Sequence, residues 1–385
     1  MLLAMTKRLQ YIDVLRGIIM CLMVLDHARD FYFGFRPSPT DLELTTPILF
    51  LTRWLTHFCA PLFVFLAGVS AYLYLNKTEK SYGFLFRRGL LLVILELVVI
   101  RLGWTPDFFY HFTLVQVIWV LGCSMIILSL LSRLLTAKTL LILGLLGVIF
   151  HASSLEFLNQ AIPSLESLWG FLFDRRMYEP IQGHRFLFTY PIIPWCSIML
   201  CGYGLGKYAS LPAKALSSHS FKVGSILVLL FIIIRGLNFG DSVPWSQKKN
   251  FVFTMISFLN CDKYPPSLVF TLMTIGPGIL IMSFLLKIRK NSKFMTLLSE
   301  IGKGAFIFYI LHLFLLRYTG ILFAYLRHGE KAFLRPPDGT FYNPKFELWV
   351  AYLAAILCIV TIYPLVKKYR HYKKSEKAPK LLKYL

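Results

Sequence analysis

The first apolar segment of the chain carries a cluster of ionisable residues near its end. The stretch MCLMVLDHARDFYFG, residues 20–34, places Asp26, His27, Arg29 and Asp30 directly after a run of Met, Leu and Val. Histidine suits acyl transfer, because its unperturbed pKa of about 6.5 lets the ring take a proton from a hydroxyl or amine and return it. The ring can also carry the acyl group as a covalent intermediate. We expect the neighbouring carboxylate to orient the ring.

Helical geometry places part of this cluster on one side of the segment. At about 100° per residue, Asp13, Arg16 and His27 fall on one narrow stripe. About 16 Å of helical rise separates Arg16 from His27. This spacing predicts a site for the phosphates of a long ligand near Arg16 and a reacting group near His27. The alternatives are an Asp13–Arg16 pair that anchors the helix at the interface and a polar outer helix end around His27.

Other apolar segments also contain ionisable side chains. Arg53 and His57 are four residues apart and therefore share a helix face. Ionisable groups within a bilayer usually face the bundle interior and have a partner. We therefore expect His27, His57 and His312 to lie in one layer of the membrane, around a shared polar cavity. Two further charges within apolar segments are Glu96 and Arg235.

Composition defines the class of protein. The chain has 385 residues, of which 57% are hydrophobic and 16% charged, whereas soluble domains average about 25% charged residues. Apolar runs of about 18 residues or more recur along its length, which predicts an all-α, polytopic transmembrane bundle. We expect one domain over residues 1–370 and a basic cytoplasmic tail over 371–385. The ten predicted spans are 11–33, 47–75, 84–102, 111–132, 138–152, 190–206, 221–239, 266–286, 301–326 and 346–366.

The net charge of +22 arises from Lys and Arg residues whose distribution along the chain indicates a membrane topology. With the N-terminus inside, 24 of the 41 Lys and Arg residues fall in inner loops and the tail, and 13 fall in outer loops. This bias is typical of cytoplasmic loops, so both termini are expected in the cytoplasm. The excess reflects orientation and attraction to anionic membrane lipid. A nucleic-acid partner is not expected.

The motif KYPPSL precedes the eighth predicted span. Its two prolines are excluded from a helix interior, but the first is tolerated near a helix start. Lys263 and Tyr264 are therefore expected at the outer mouth of that span, where they meet a sugar or an anionic group, or else extend to the interface. Two long outer loops, 153–189 and 327–345, either cover a substrate site or form an interfacial aromatic belt.

Several stretches resemble a known family of membrane enzymes. YIDVLRGIIMCLMVLDHARDFYF and APLFVFLAGVSAYL resemble the opening of membrane acyltransferases related to the heparan-α-glucosaminide N-acetyltransferase catalytic domain. The resemblance to bacterial members extends from about residue 8 to 370 through YPIIPWCSIMLCGYGLG, FLNCDKYPPSLVFTLMTIGPG, IGKGAFIFYILHLFLL and LWVAYLAAILCIVTIYPLVKK. It implies transfer of an acyl group, typically acetyl, from cytoplasmic acyl-CoA to an amine or hydroxyl, usually of a sugar, on the far side. A bacterial inner (plasma) membrane is the implied location.

The sequence departs from the lysosomal branch of this family at one point. There the proposed catalytic histidine follows the first helix, whereas residues 28–56 here contain none. We prefer His27 as the catalytic base, with Asp26 beside it, and keep His57 as the alternative. The residues expected to bind acyl-CoA or the acceptor are Asp13, Arg16, Arg29, Arg53, Lys263, Tyr264 and His312.

Two further points complete the expectations. The chain has no Cys or His spacing typical of a metal site, so acyl-CoA is expected as co-substrate without a metal. The competing interpretation is a transporter or flippase in which the buried charges form a substrate or proton path. A homodimer is left open.

Overall fold

The computed structural model of the chain describes residues 2–33, 38–76, 82–288, 292–333, 343–379, 382 and 384, with the backbone alone over residues 2–9. Parts of the predicted loop 327–345, of the connections between the second and third and between the eighth and ninth predicted spans, and of the basic tail lie outside the described residues.

Helices account for most of the described chain. In the first half they are α1 (Leu2–Tyr32), α2 (Pro47–His57), α3 (Cys59–Leu75), α4 (Tyr82–Leu95), α5 (Arg101–Trp104), α6 (Val117–Leu134), α7 (Ala137–Ala161) and α8 (Glu166–Phe173). In the second half they are α9 (Ile192–Gly206), α10 (Ala213–Gly236), α11 (Phe251–Leu259), α12 (Leu268–Lys287), α13 (Lys293–Lys303), α14 (Ala305–His328) and α15 (Leu348–Lys374). A π-helical turn over Glu96–Ile100 joins α4 to α5.

The helices confirm the predicted all-α membrane class. Within the described ranges, seven helical segments are long and apolar enough to cross a membrane. They are Pro47–Leu75, Val117–Leu134, Ala137–Ala161, Ala213–Gly236, Leu268–Lys287, Ala305–Phe333 and Leu348–Lys374. The other three predicted spans fall on α1, on α4 with α5, and on α9. The count of ten spans and the side of each terminus stay predictions.

A small sheet interrupts the helices where the sequence predicted a helix and a loop. Its strands are β1 (Phe112–Val115), β2 (Arg176–Ile181) and β3 (His184–Phe188). β3 lies in the middle, parallel to β1 and antiparallel to β2. The predicted span 111–132 is therefore wrong at its start, because α6 begins only at Val117. Periodicity within a short apolar run does not distinguish a buried strand from a buried helix.

Helix α1 occupies the interior of the bundle and contacts α3, α13, α14 and α15. Gly17 and Gly302 allow α13 to cross α1 with direct backbone contact, because a Cβ at either position would overlap the facing backbone at Leu298 or Asp13. The buried face of α1 includes Met20, Val24 and Ala28. This central position directs the polar side chains of α1 towards other helices.

Candidate active site

Two cavities lie at the end of the bundle where α1 ends. The small cavity has a volume of about 170 Å³, and its lining includes Asp26, His27, Thr56, Gln116, Tyr190 and Tyr309. The large cavity has a volume of about 490 Å³, and its lining includes Thr40, Asp41, His57, Arg175, Asn260 and Asp262. Arg53, Lys263 and Tyr264 line both. The two cavities therefore share a wall.

His27 is paired with His312 across the wall of the small cavity. Nδ1 of His27 lies 2.8 Å from Nε2 of His312, and the two rings stack with centroids 4.9 Å apart. Nδ1 of His312 lies 2.8 Å from the carbonyl oxygen of Phe308, one turn earlier on α14. Trp104 meets His27 edge-on, with ring centroids 4.7 Å apart. Both imidazoles are buried.

These contacts determine the tautomers of the two neutral rings. A carbonyl oxygen accepts hydrogen bonds only, so Nδ1 of His312 carries the proton and its Nε2 is an acceptor. Nδ1 of His27 must then donate to that acceptor. This assignment places the lone pair of His27 on Nε2, which is the form of histidine that accepts a proton.

The Asp26 carboxylate contacts two arginines and a threonine, and it does not pair with His27. Its carboxylate accepts from Nη1 of Arg53 at 2.8 and 2.7 Å and from Oγ1 of Thr56 at 2.6 Å, and Nη2 of Arg29 lies 2.8 Å away. Consecutive helical residues point about 100° apart, so Asp26 and His27 face different neighbours. The prediction that Asp26 orients the His27 ring is therefore wrong, and His312 orients the ring instead. Asp26 holds Arg29 and Arg53 in place.

His57 lies at the end of α2 and lines the large cavity. It is 2% exposed and packs against the ring of Phe270, with centroids 5.5 Å apart. Its buried Nδ1 has no hydrogen-bond partner in the part of the chain that the structure describes. His57 thus shares the region with His27 but lacks a contact that selects its tautomer.

Lys263 and Tyr264 face the cavities, which rules out an extended position at the interface. Lys263 is 7% exposed, and its ammonium lies 5.0 Å from the centre of the Tyr264 ring. The hydroxyl of Tyr264 lies 3.3 Å from that of Tyr190. Burial raises the pKa of Tyr264, but the positive charges of Lys263 and Arg53 outweigh burial, and the net shift is downward. The phenol is therefore a stronger hydrogen-bond donor than an ordinary tyrosine.

Asp13 and Arg16 lie towards the other end of α1, outside both cavities. Arg16 faces α3, where its Nη2 donates to Oγ of Ser70 at 2.6 Å and to the carbonyl of Leu66 at 3.2 Å. Its Nη1 lies 3.9 Å from Asp13, so the i,i+3 pair also forms. The predicted stripe is thus divided between neighbours, because Arg16 faces α3 whereas His27 faces α14.

Several residues of the cavities were missed in the sequence. Trp104 and Tyr309 are aromatic residues within apolar segments, where their spacing resembles ordinary packing. Gln116 follows β1, and Arg175 immediately precedes β2, in a loop that the sequence assigned only a general covering role. The available signal was a polar residue, Gln116, within an otherwise apolar segment.

The two remaining charges within spans support the backbone around the cavities. Glu96, in the π-helical turn, accepts from the backbone N–H of Gln116 at 2.7 Å. Arg235, 1% exposed, donates to the carbonyls of Val243, Ser257, Phe258 and Asn260 at 2.7–3.0 Å. Neither residue belongs to the lining of the two cavities. Their roles are structural.

Replacing Arg235 with methionine is expected to destabilise the protein by about 3 kcal/mol, because four buried carbonyls lose their donor and the nearby Asp241 loses its cation, 3.8 Å away. Thermal unfolding in detergent measures the loss. Lys222→Met, at an exposed lysine on the same helix, is the matched control and should leave the midpoint unchanged. An equal effect of both substitutions would refute the proposal that Arg235 supports the backbone around the cavities.

Comparison with known families identifies the chain. Residues 8–235, more than half of its length, match the family described as heparan-alpha-glucosaminide N-acetyltransferase, catalytic. The chain belongs to this family. No curated protein matches it in sequence. Family membership and the seven apolar helices together make this a multi-pass membrane protein of an acetyltransferase-type enzyme family.

The heparan-alpha-glucosaminide N-acetyltransferase match covers only part of the site. The matched residues include those of α1, α2 and α3 that line the cavities, among them His27, Arg53 and His57. Lys263, Tyr264 and His312 follow the matched region. The fold therefore brings residues from both parts of the chain to one pair of cavities.

Proposed function

We propose that this chain transfers an acyl group, with acetyl as the first candidate, from cytoplasmic acyl-CoA to an amine or hydroxyl of a sugar-containing acceptor on the other side of a bacterial inner membrane. The observation that carries the proposal is the hydrogen-bond chain from the Phe308 carbonyl through His312 to His27. This chain leaves a basic nitrogen on a ring that lines a polar cavity, as general-base catalysis requires.

The proposed reaction uses His27 as a proton shuttle. The acceptor nitrogen or oxygen attacks the thioester carbonyl carbon, and Nε2 of His27 takes the acceptor's proton. The carbon–sulfur bond then breaks, and the imidazolium returns that proton to the departing sulfur. Asp26 neutralises one of the arginines beside the ring, which limits the positive charge that opposes formation of the imidazolium. The same lone pair also suits an acyl-histidine intermediate.

The two ends of α1 receive the two ends of the donor in this proposal. We assign the phosphates of CoA to the region of Arg16, where Arg88 adds a second positive charge and Asp13 is the carboxylate that pairs with Arg16. The acyl group then reaches the small cavity along α3. The large cavity, about 490 Å³ with polar lining, has the size typical of small-molecule sites and is assigned to the acceptor.

Release of CoA by purified protein tests the proposal. Protein in lipid nanodiscs is mixed with radiolabelled acetyl-CoA and a panel of amino and neutral sugars that includes glucosamine, and free thiol and labelled sugar are measured. We expect acceptor-dependent release, retained in His219→Asn, which changes an exposed histidine outside both cavities. Absence of acetyl-CoA binding, together with movement of a sugar substrate across liposomes, would instead establish a transporter.

A further inference from the structure

Lys263, which lines both cavities, differs from the two arginines that contact Asp26. Arg29 and Arg53 both contact Asp26 at 2.8 Å or less. Within the residues that the structure describes, no carboxylate lies within 4.0 Å of the Lys263 ammonium. A buried ammonium is costly unless an anion compensates it. Because Lys263 lines both cavities, its ammonium is available to an anionic group that forms or binds there.

Tyr264 completes this positive wall. It lines the same small cavity as His27, but it comes from the segment between α11 and α12, whereas His27 comes from α1. The Tyr190 hydroxyl lies 3.3 Å from that of Tyr264 and is able to donate to it. When it does, the proton of Tyr264 is available to a group in the cavity.

The segment that carries the two residues is held by several hydrogen bonds. Arg235 donates to the carbonyl of Asn260, and Asp241 accepts from the backbone N–H of Asp262 and from the hydroxyl of Ser267. The backbone N–H of Ser267 also donates to the carbonyl of Asp262 at 3.0 Å. Donors fixed before the reaction stabilise charge in a transition state without reorganisation.

We propose that the hydroxyl of Tyr264 and the ammonium of Lys263 bind the oxyanion of the tetrahedral intermediate in acyl transfer. This inference rests on the proposed function and adds the electrophilic side of the site opposite the base. When the acceptor attacks, the carbonyl π electrons move to oxygen, and the hydroxyl and ammonium stabilise that oxygen without giving up a proton. The electrons return when the carbon–sulfur bond breaks, and His27 supplies the proton to sulfur.

The alternative is that the pair binds an anionic group of the acceptor. Such a role would raise the KM of the acceptor when either side chain is changed, with kcat preserved. Oxyanion binding instead affects kcat, because the contact becomes strong only in the transition state. The two roles therefore differ in a quantity that steady-state kinetics measures.

Tyr264→Phe is the sharpest variant, because it removes one hydroxyl and keeps the ring. We expect kcat for acetyl-CoA and the best acceptor of the sugar panel to fall about 10²-fold, as for loss of one oxyanion donor. Binding of acetonyl-CoA, an unreactive ketone analogue, should stay within about threefold. Tyr203→Phe removes another buried tyrosine hydroxyl, outside both cavities, and should keep wild-type kcat.

Lysine variants supply the second arm. Lys263→Gln is expected to lower kcat by about 10²-fold, and Lys263→Arg to restore it to within about tenfold of wild type, because only the latter keeps the charge.

A higher acceptor KM with unchanged kcat in Tyr264→Phe, or wild-type kinetics in that variant, would overturn the inference. If wild type transfers acyl groups while Tyr264→Phe does so equally well, the proposed function survives and this inference fails. If wild type neither binds acetyl-CoA nor releases CoA, the proposed function fails and this inference with it.

Discussion

Replacing His27 with asparagine is expected to lower kcat for acyl transfer about 10³-fold, the usual contribution of a positioned general base. Asparagine keeps a polar side chain that is able to donate to Nε2 of His312, so the local hydrogen bond has a substitute. It has no nitrogen that accepts a proton near neutral pH. Steady-state release of CoA in nanodiscs measures the effect, and binding of acetonyl-CoA shows that the donor site remains intact.

His57→Asn is the matched control for this prediction. His57 is also buried and lines the neighbouring large cavity, but it lacks a partner that selects its tautomer among the described residues. We expect its kcat to stay within about tenfold of wild type. A larger loss in His57→Asn than in His27→Asn would transfer the role of base to His57.

Replacing His312 with phenylalanine is expected to lower kcat about 10²-fold. Phenylalanine preserves the stacked ring but removes the acceptor for Nδ1 of His27. The proton of His27 then has no buried partner at Nδ1, and the tautomer with the proton on Nε2 becomes competitive. Loss of a tautomer-directing partner has large effects in other enzymes whose base is histidine.

His312→Gln distinguishes positioning from packing. The glutamine side chain has a carbonyl oxygen that is able to accept from His27, so we expect recovery to within about tenfold of wild type. The KM of acetyl-CoA should change little in either variant. Equal losses in the phenylalanine and glutamine variants, or losses confined to KM, would show that His312 acts through packing or substrate binding.

Helix positions and the burial of His27, His57 and His312 could be predicted, because each depends on local pattern and on the cost of burying charge. Their common membrane layer stays a prediction, and among the residues that the structure describes neither of the two cavities is lined by all three. Apolar runs defined the long helices, and the same cost placed the imidazoles of His27 and His312 inward, where they meet. The short strand β1 was missed, because its four residues, Phe-Thr-Leu-Val, are too few to carry a periodicity that separates strand from helix. The sheet forms through pairing with β3, about 70 residues later, which local pattern does not reveal.

The partner of each charged group was harder to predict than its burial. Asp26 immediately precedes His27 in the sequence, and this adjacency suggested that the two side chains form a pair. Helical geometry instead directs Asp26 to Arg53 on α2, whereas the partner of His27 comes from α14, 285 residues later. Arg235 was recognised only as a charge within an apolar segment, and its guanidinium donates to four carbonyls of α11 and the loops on either side of it. Such pairings depend on tertiary packing, which a single sequence does not specify.

A structure of the protein with bound acetonyl-CoA tests the central claim most directly. The account predicts that the ketone carbonyl lies in the small cavity, its carbon about 3–4 Å from the position of the attacking atom and that position within about 3 Å of Nε2 of His27. The phosphates of the analogue should lie towards Arg16. An acyl end that lies outside both cavities, on the far side of α1 from His27, would contradict the account.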